Sequence, residues 1–215
     1  YDRPVLKRMR KIMEQYRPGS LIDLHSHEQY SMGPANQYMG FFPYIDRLWF
    51  GEGFDYEKKR PDEWLITFSG IPFGLMSEMI ERVNPWLGMV YGATGRYGYE
   101  EKYSPAPVWA LWQSFGIEEA EMKGYWVKDC PVKTSHPLVK ATAYLKPGEG
   151  LISVGNFDSR KQSVKLTFDW DTLGISPETA VLIAPEIEGF QPAATFRLRE
   201  SIPIEAKKGW LLIVK

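Results

Sequence analysis

Arg47-Leu48-Trp49-Phe50-Gly51-Glu52-Gly53-Phe54-Asp55-Tyr56, followed at Pro61-Asp62-Glu63, is the stretch on which the fold turns. Leu48, Trp49 and Phe50 form the short apolar run expected of a buried strand, and Gly51 and Gly53 let the chain bend after it. Pro61 suits the first position of a helix, and the acids behind it face the positive end of the helix dipole. The local order is strand, loop, helix.

The same order recurs on both sides. Upstream, Val5, Leu6, Met9, Ile12, Met13 and Tyr16 fall at helical spacing with Lys and Arg between them, so about 4–16 reads as an amphipathic helix that Pro18-Gly19 stops. Ser20 to Leu24 follows as a short strand and His25 to Gly33 as its loop. Residues 34–44 predict a short helix interrupted by Pro43. Downstream, the helix from Pro61 runs towards Ile80, with a break or kink at Gly70 and Pro72. Leu87 to Tyr91 reads as a third strand, Gly92 to Ser104 as its loop, and Pro105 to Phe115 as a last helix stopped by Gly116.

Three alternations of strand and helix with short connections are the mark of parallel βα units. Three units do not close a barrel, but they suit the last three of a (β/α)8 barrel. The chain opens at Tyr1 straight into a helix-like segment, as a piece of a longer protein would. From about 119 the helical period gives way to short strand candidates: Tyr125–Val127, Val139–Leu145, Leu151–Asn156, Ser163–Phe168, Ala180–Ala184, Ala194–Leu198, Ile202–Ile204 and Trp210–Val214. Val164 to Phe168 alternates apolar and polar, so one of its faces is wet. The expected fold is therefore α/β plus all-β. Residues 1–118 would be the C-terminal part of a barrel, and 119–215 an antiparallel β-sandwich.

Composition excludes several function classes. The 26 Lys and Arg against 27 Asp and Glu leave a net charge of −1, which gives no electrostatic case for nucleic acid. No apolar run is long enough to span a membrane. The single Cys130 rules out an internal disulfide framework, and with no acidic or basic motif around it reads as an unreactive thiol. Aromatics are abundant, with 22 of the 31 before residue 119, which supports a change of architecture near that point.

In barrels the loops after the strands build the active site. On an extended chain Asp23, His25 and His27 share a side, which fits a metal site, a clamp on sugar hydroxyls or a hydrogen-bonded strand end. Metal is the weakest of these, because the only other histidine, His136, lies in the other half. Glu52, between two glycines just past its strand, is the best acid/base or substrate-binding candidate. Asp46 reads as structural, paired with Arg47, and Asp55 as a ligand contact or a solvated loop residue. Gly92 to Tyr99 lacks the Lys-Ser/Thr of a phosphate loop, so Arg96 with Tyr97 and Tyr99 better suits a rim that stacks on a sugar ring. Most of the tryptophans fall at core positions of helices and strands, no nucleophile triad can be assembled, and no cofactor motif is present.

Phe42 to Tyr56, Ser69-Gly70-Ile71-Pro72-Phe73-Gly74-Leu75-Met76 and Asn84 to Gly92 together resemble segments of bacterial proteins like glycoside hydrolase family 123. The resemblance implies a central (β/α)8 barrel, a closing β-domain, a carbohydrate substrate and hydrolysis of a glycosidic bond. It further implies a periplasmic or secreted setting and no cofactor. Family members act on N-acetylgalactosaminides by substrate-assisted retention with an adjacent Asp-Glu pair on a middle strand. No such pair stands at a strand end here, so the pair is expected upstream. Glu52 and Asp23 are then the catalytic candidates in this chain, and His25, His27, Trp49, Asp55, Arg96 and Tyr97 the substrate-binding ones. The other readings are a non-catalytic carbohydrate-binding module and a metal-dependent hydrolase on Asp23, His25 and His27. An incomplete barrel would also leave an open edge through which the chain self-associates.

Overall fold

The structure, a computed structural model, describes residues 2–27, 40–52, 54–79, 83–96 and 104–215. By internal contacts they form two units: one from 1–83 and 93–100, the other from 84–92 and 101–215.

The first unit is mixed α/β. Helix α1 (Asp2–Tyr16) leads to β1 (Asp23–His27), then β2 (Arg47–Glu52) and β3 (Met76–Met79), all parallel in the order β1-β2-β3. Gly95 extends this sheet by a parallel bridge to Met79, with the Met79 amide donating to Thr94 O and the Arg96 amide to Met79 O, both at 3.0 Å. The sheet is open, and no closed barrel forms among the described residues. One side is packed by Ile22, Phe42, Ile45, Leu48 and Leu75, with Met13 of α1 and Leu24 against them. Each such buried side chain contributes about 1.5–3 kcal/mol.

Two expected elements are exchanged. Leu87 to Tyr91 is not a strand: Pro85–Gly88 is a helical turn, α3, continued by a 3-10 turn at Met89–Tyr91. Asn84 caps α3, its Oδ1 accepting from the Leu87 amide at 3.0 Å, with Pro85 at the first position. The third strand is instead Met76–Met79, inside the stretch that reads as helix. That helix is α2 (Pro61–Glu63) followed by a π-helical turn at Trp64–Phe68, and it ends because Gly70 and Gly74 adopt φ of 62° and 74° around Pro72. β1 also starts three residues later than expected and takes in His25 and His27. Asp46 pairs with Arg10 of α1, at 2.5 Å, rather than with Arg47. Of the short helix expected over 34–44 the structure describes a 3-10 turn at Phe42–Tyr44; residues 34–39 lie outside the described residues.

The second unit is sheet-rich. Helix α4 (Ala106–Phe115) belongs to it and ends on Gly116 at φ 72°. The strands are β4 (Glu121–Lys123), β5 (Val132–Thr134), β6 (Val139–Lys146), β7 (Glu149–Asn156), β8 (Gln162–Val164), β9 (Leu166–Phe168), β10 (Leu182–Ala184), β11 (Ala194–Phe196), β12 (Ile202–Ile204) and β13 (Gly209–Val214), with a helical turn, α5 (Trp170–Leu173), after β9. Six form one antiparallel sheet, β11-β10-β13-β7-β6-β4, and two ribbons, β12-β8 and β5-β9, complete the set. Alternation sorts the main sheet's side chains. Ile152, Val154, Leu212 and Val214 pack against Val164, Leu166, Ile202 and Ile204 of the ribbons. Leu151, Leu211 and Tyr144 face Met89, Val108 and Phe115. Thr142 and Tyr144 hydroxyls donate to Val90 O and Met89 O, binding Met89–Tyr91 to the sheet. Tyr125–Val127, expected as a strand, is a turn, and β5 is a strand the sequence pattern did not single out.

Candidate functional site

The side of the parallel sheet that faces away from Leu48 and Leu75 is polar. Register aligns Asp23 with Arg47 and Met76, and His25 with Trp49 and Glu78. Alternation sets these two rows on one face, and Asp23, His25, Met76 and Glu78 are exposed there.

The row nearer the ends of the strands is an aromatic and cationic cluster. The His25 and Trp49 rings lie 4.9 Å apart at 49°. The Arg96 guanidinium stands 3.9 Å above the Trp49 ring, within cation–π range. Arg96 is held there because the ladder from Thr94 to Arg96 runs along the end of β3. Trp49 Nε1 is buried with no hydrogen-bond partner among the described residues, a donor that costs stability until something accepts from it. Trp49 is half-buried and belongs to this cluster, not to the apolar core. Glu78, on the strand that reads as helix, is the residue that sequence reasoning missed.

Asp23 sits at the other end. Arg47 grips it with two bonds, Nε to Oδ1 at 2.7 Å and Nη2 to Oδ2 at 3.1 Å, both side chains being about half exposed. Glu52 is placed by its backbone, level with His27 after a bulge that lets β2 carry one extra residue. Four residues of strand separate the Asp23 row from the Glu52 row, about 13 Å. Paired glycosidase carboxylates stand roughly 5–10 Å apart.

Asp55 belongs to a turn. Its Oδ1 accepts from the Glu57 and Lys58 amides at 3.2 Å and Oδ2 pairs with Lys58 Nζ at 2.8 Å, which holds its pKa below the usual carboxylate range. The loop after β2 is pinned from behind by Phe54, Tyr56, Trp64 and Phe68, whose rings meet at centroid distances of 4.9–5.9 Å, with Trp64 Nε1 donating to Tyr56 O. Trp64 is core, as expected, and the π-helical turn serves this packing. Tyr97 lies outside the described residues. Among the described residues no three of His, Cys, Asp and Glu converge as a metal site. No helix among them is long and apolar enough to cross a membrane.

The geometry thus joins His25, Trp49 and Arg96 with Glu78, and leaves Asp23 and Asp55 tied to basic partners elsewhere. Among solved structures, the chain is similar to the crystal structure of a noncanonic maltogenic alpha-amylase, AmyB, from Thermotoga neapolitana, at 11% identity and a TM-score of 0.41. That likeness covers 97% of this chain and 64% of the amylase chain, so this chain spans less than two thirds of that protein. No curated protein matches it. The model of the glycoside hydrolase 123 TIM-barrel domain matches residues 1–98, and that of the glycoside hydrolase 123 C-terminal domain matches residues 104–215. With the two matches spanning nearly its whole length, the chain belongs to the glycoside hydrolase 123 family.

Proposed function

We propose that the chain supplies one wall of the saccharide site of a glycoside hydrolase. β1, β2, β3 and the Gly95 bridge are consecutive staves of a (β/α)8 barrel, and the polar face is the side turned to its axis. The second unit is an antiparallel β-sandwich, its main sheet packed against the two ribbons. The observation that carries this reading is the cluster of His25, Trp49, Arg96 and Glu78 on that face. An aromatic ring offers a stacking surface to the apolar side of a pyranose. A guanidinium, an imidazole and a carboxylate around it supply donors and acceptors for its hydroxyls.

In this arrangement Glu52 is the acid/base candidate, His27 is level with it, and Asp23 with Arg47 forms the charged base of the wall. A general acid at Glu52 requires a raised pKa, which burial under bound sugar would supply. The open edge of β1 has no strand beside it among the described residues, and Val5, Ile12 and Tyr16 of α1 are 63%, 46% and 80% exposed. Further βα units, or a second copy of the chain, would cover both.

The test is hydrolysis of an aryl N-acetylgalactosaminide by the full-length protein and its Glu52→Gln and Glu78→Gln variants. Loss of kcat in the first and a raised KM in the second are expected. An unchanged kcat in the first or an unchanged KM in the second refutes the assignment. A second reading, a non-catalytic carbohydrate-binding module, draws on the distance between Asp23 and Glu52. Saccharide binding by the chain without hydrolysis by the full-length protein selects it.

A further inference from the structure

Two charged side chains on the polar face of the parallel sheet stand unpaired. Asp23 and Arg47 neutralise each other through two bonds, at 2.7 and 3.1 Å. Arg96 is different. Its amide donates to Met79 O at the end of the ladder, and its exposed guanidinium lies 3.9 Å from the centre of the Trp49 ring. Among the described residues no carboxylate pairs with that guanidinium and no hydrogen bond uses its N–H groups. Glu78 is the nearest candidate by topology, because β3 lies between the Gly95 bridge and β2. No ion pair joins it to Arg96, and Glu78 is itself exposed and unpaired among the described residues. The Trp49 Nε1–H, in the same stack, also lacks an acceptor among them.

A cation–π stack uses the flat face of a guanidinium. It leaves the N–H groups at the edge free, in a fork that matches the paired oxygens of a carboxylate or a sulfate. The indole also holds the guanidinium in place before any ligand arrives, which lowers the ordering cost of binding. A neutral hydroxyl would use a single donor of that fork and none of its charge. Glu78 is an acceptor suited to hydroxyls, and its own charge keeps an anion to the part of the guanidinium edge turned away from it. On the reading of this face as a saccharide wall, we propose that Arg96 sets its specificity for a sugar bearing an anionic substituent, a uronic acid carboxylate or a sulfate ester. The guanidinium edge grips the anionic group, and Glu78 accepts from ring hydroxyls.

The experiment titrates the full-length protein by calorimetry with D-galactose, D-galacturonate and D-galactose 6-sulfate, one ring that differs only at C6, and with inorganic sulfate. At least one acidic sugar binds about tenfold or more tighter than galactose, and which one does identifies the anionic group. Arg96→Gln abolishes the preference, and Arg96→Lys, which keeps the charge without the fork, retains part of it. Raising salt from about 0.05 to about 0.5 M shrinks the preference in the wild type. Equal binding of the three sugars overturns the proposal and leaves the saccharide wall standing, whereas binding of none of them overturns both. A preference that survives Arg96→Gln in folded protein, or inorganic sulfate bound as tightly as the acidic sugars, also overturns it.

Discussion

Removing the Asp46 carboxylate should loosen the junction between α1 and the parallel sheet by an amount that can be worked out. Its two oxygens do separate jobs: Oδ1 accepts from Arg10 Nη2 at 2.5 Å and Oδ2 from the buried Ile22 amide at 2.7 Å. The Arg10 and Asp46 side chains are 29% and 24% exposed, so a charge-assisted bond worth 1.5–3 kcal/mol at best is discounted to about 1–2. Leaving the Ile22 amide unpaired adds about 1–3 kcal/mol. Asp46→Ala therefore costs about 2–5 kcal/mol. Asp46→Asn, which keeps an oxygen for Ile22, costs about 1. Amide exchange at Ile22 should then quicken at least about thirtyfold in the first variant and about fivefold in the second. The pH arm has a definite sign. Arg10 holds the folded-state pKa of Asp46 below its ordinary value, so the stabilisation is whole above about pH 4 and is lost as pH falls through the folded value. Wild type and Asp46→Asn should converge there. Equal Ile22 exchange in wild type and Asp46→Ala at neutral pH, or a gap to Asp46→Asn that survives strong acid, refutes the reasoning.

Other outcomes are expected from the same structure. On the saccharide wall proposed above, Trp49→Leu removes the ring beneath Arg96 and beside His25, and should weaken saccharide binding by the full-length protein about tenfold in calorimetry. Gly209→Ala would place a Cβ 2.1 Å from Val154 O, where β13 lies against β7. It should cost about 3 kcal/mol or more in urea denaturation, and an unchanged midpoint would mean that the strands separate more freely than their register implies. The Cys130 thiol is buried against the Lys123 and Val132 carbonyls, and burial pushes its pKa up, so Ellman reagent should label it only on unfolding. Fast labelling of native protein at pH 8 would contradict that burial.

The elements that the sequence reveals are those whose signals agree. β2 has an apolar run bounded by glycine, and α4 has proline at its start and Gly116 at its end. β3 was hidden because Leu75, Met76, Met79 and Ile80 happen to recur at helical spacing, so its pattern continued the helix from Pro61. What breaks that continuity is backbone geometry, two glycines at positive φ, and a count of apolar residues does not weigh it. Leu87 to Tyr91 failed in the opposite direction. A five-residue apolar run fits a buried strand or a buried helix equally, and only the Asn84-Pro85 cap ahead of it decides.

The site was legible to the extent that strand order was. His25 and Arg96 could be found because the sequence reading put them in the loops that follow strands, and Trp49 because it lies in the apolar run of β2; the sheet then brings them together without further sequence signal. Glu78 could not, because its relation to Trp49 exists only through the pairing of β2 with β3. Its strand also violates the usual binary pattern: Met76 is 65% exposed and only Met79 is buried. That violation is informative. A sheet built for packing alone would bury apolar residues on both faces, as β7 does between Leu151 on one side and Ile152 on the other. Here one face of the parallel sheet carries Leu48 and Leu75, and the other is given mainly to charged groups and the Trp49 indole, whose N–H has no partner among the described residues. Those groups add little to folding, so their concentration on one face is the physical ground for placing a polar, hydroxyl-rich ligand there.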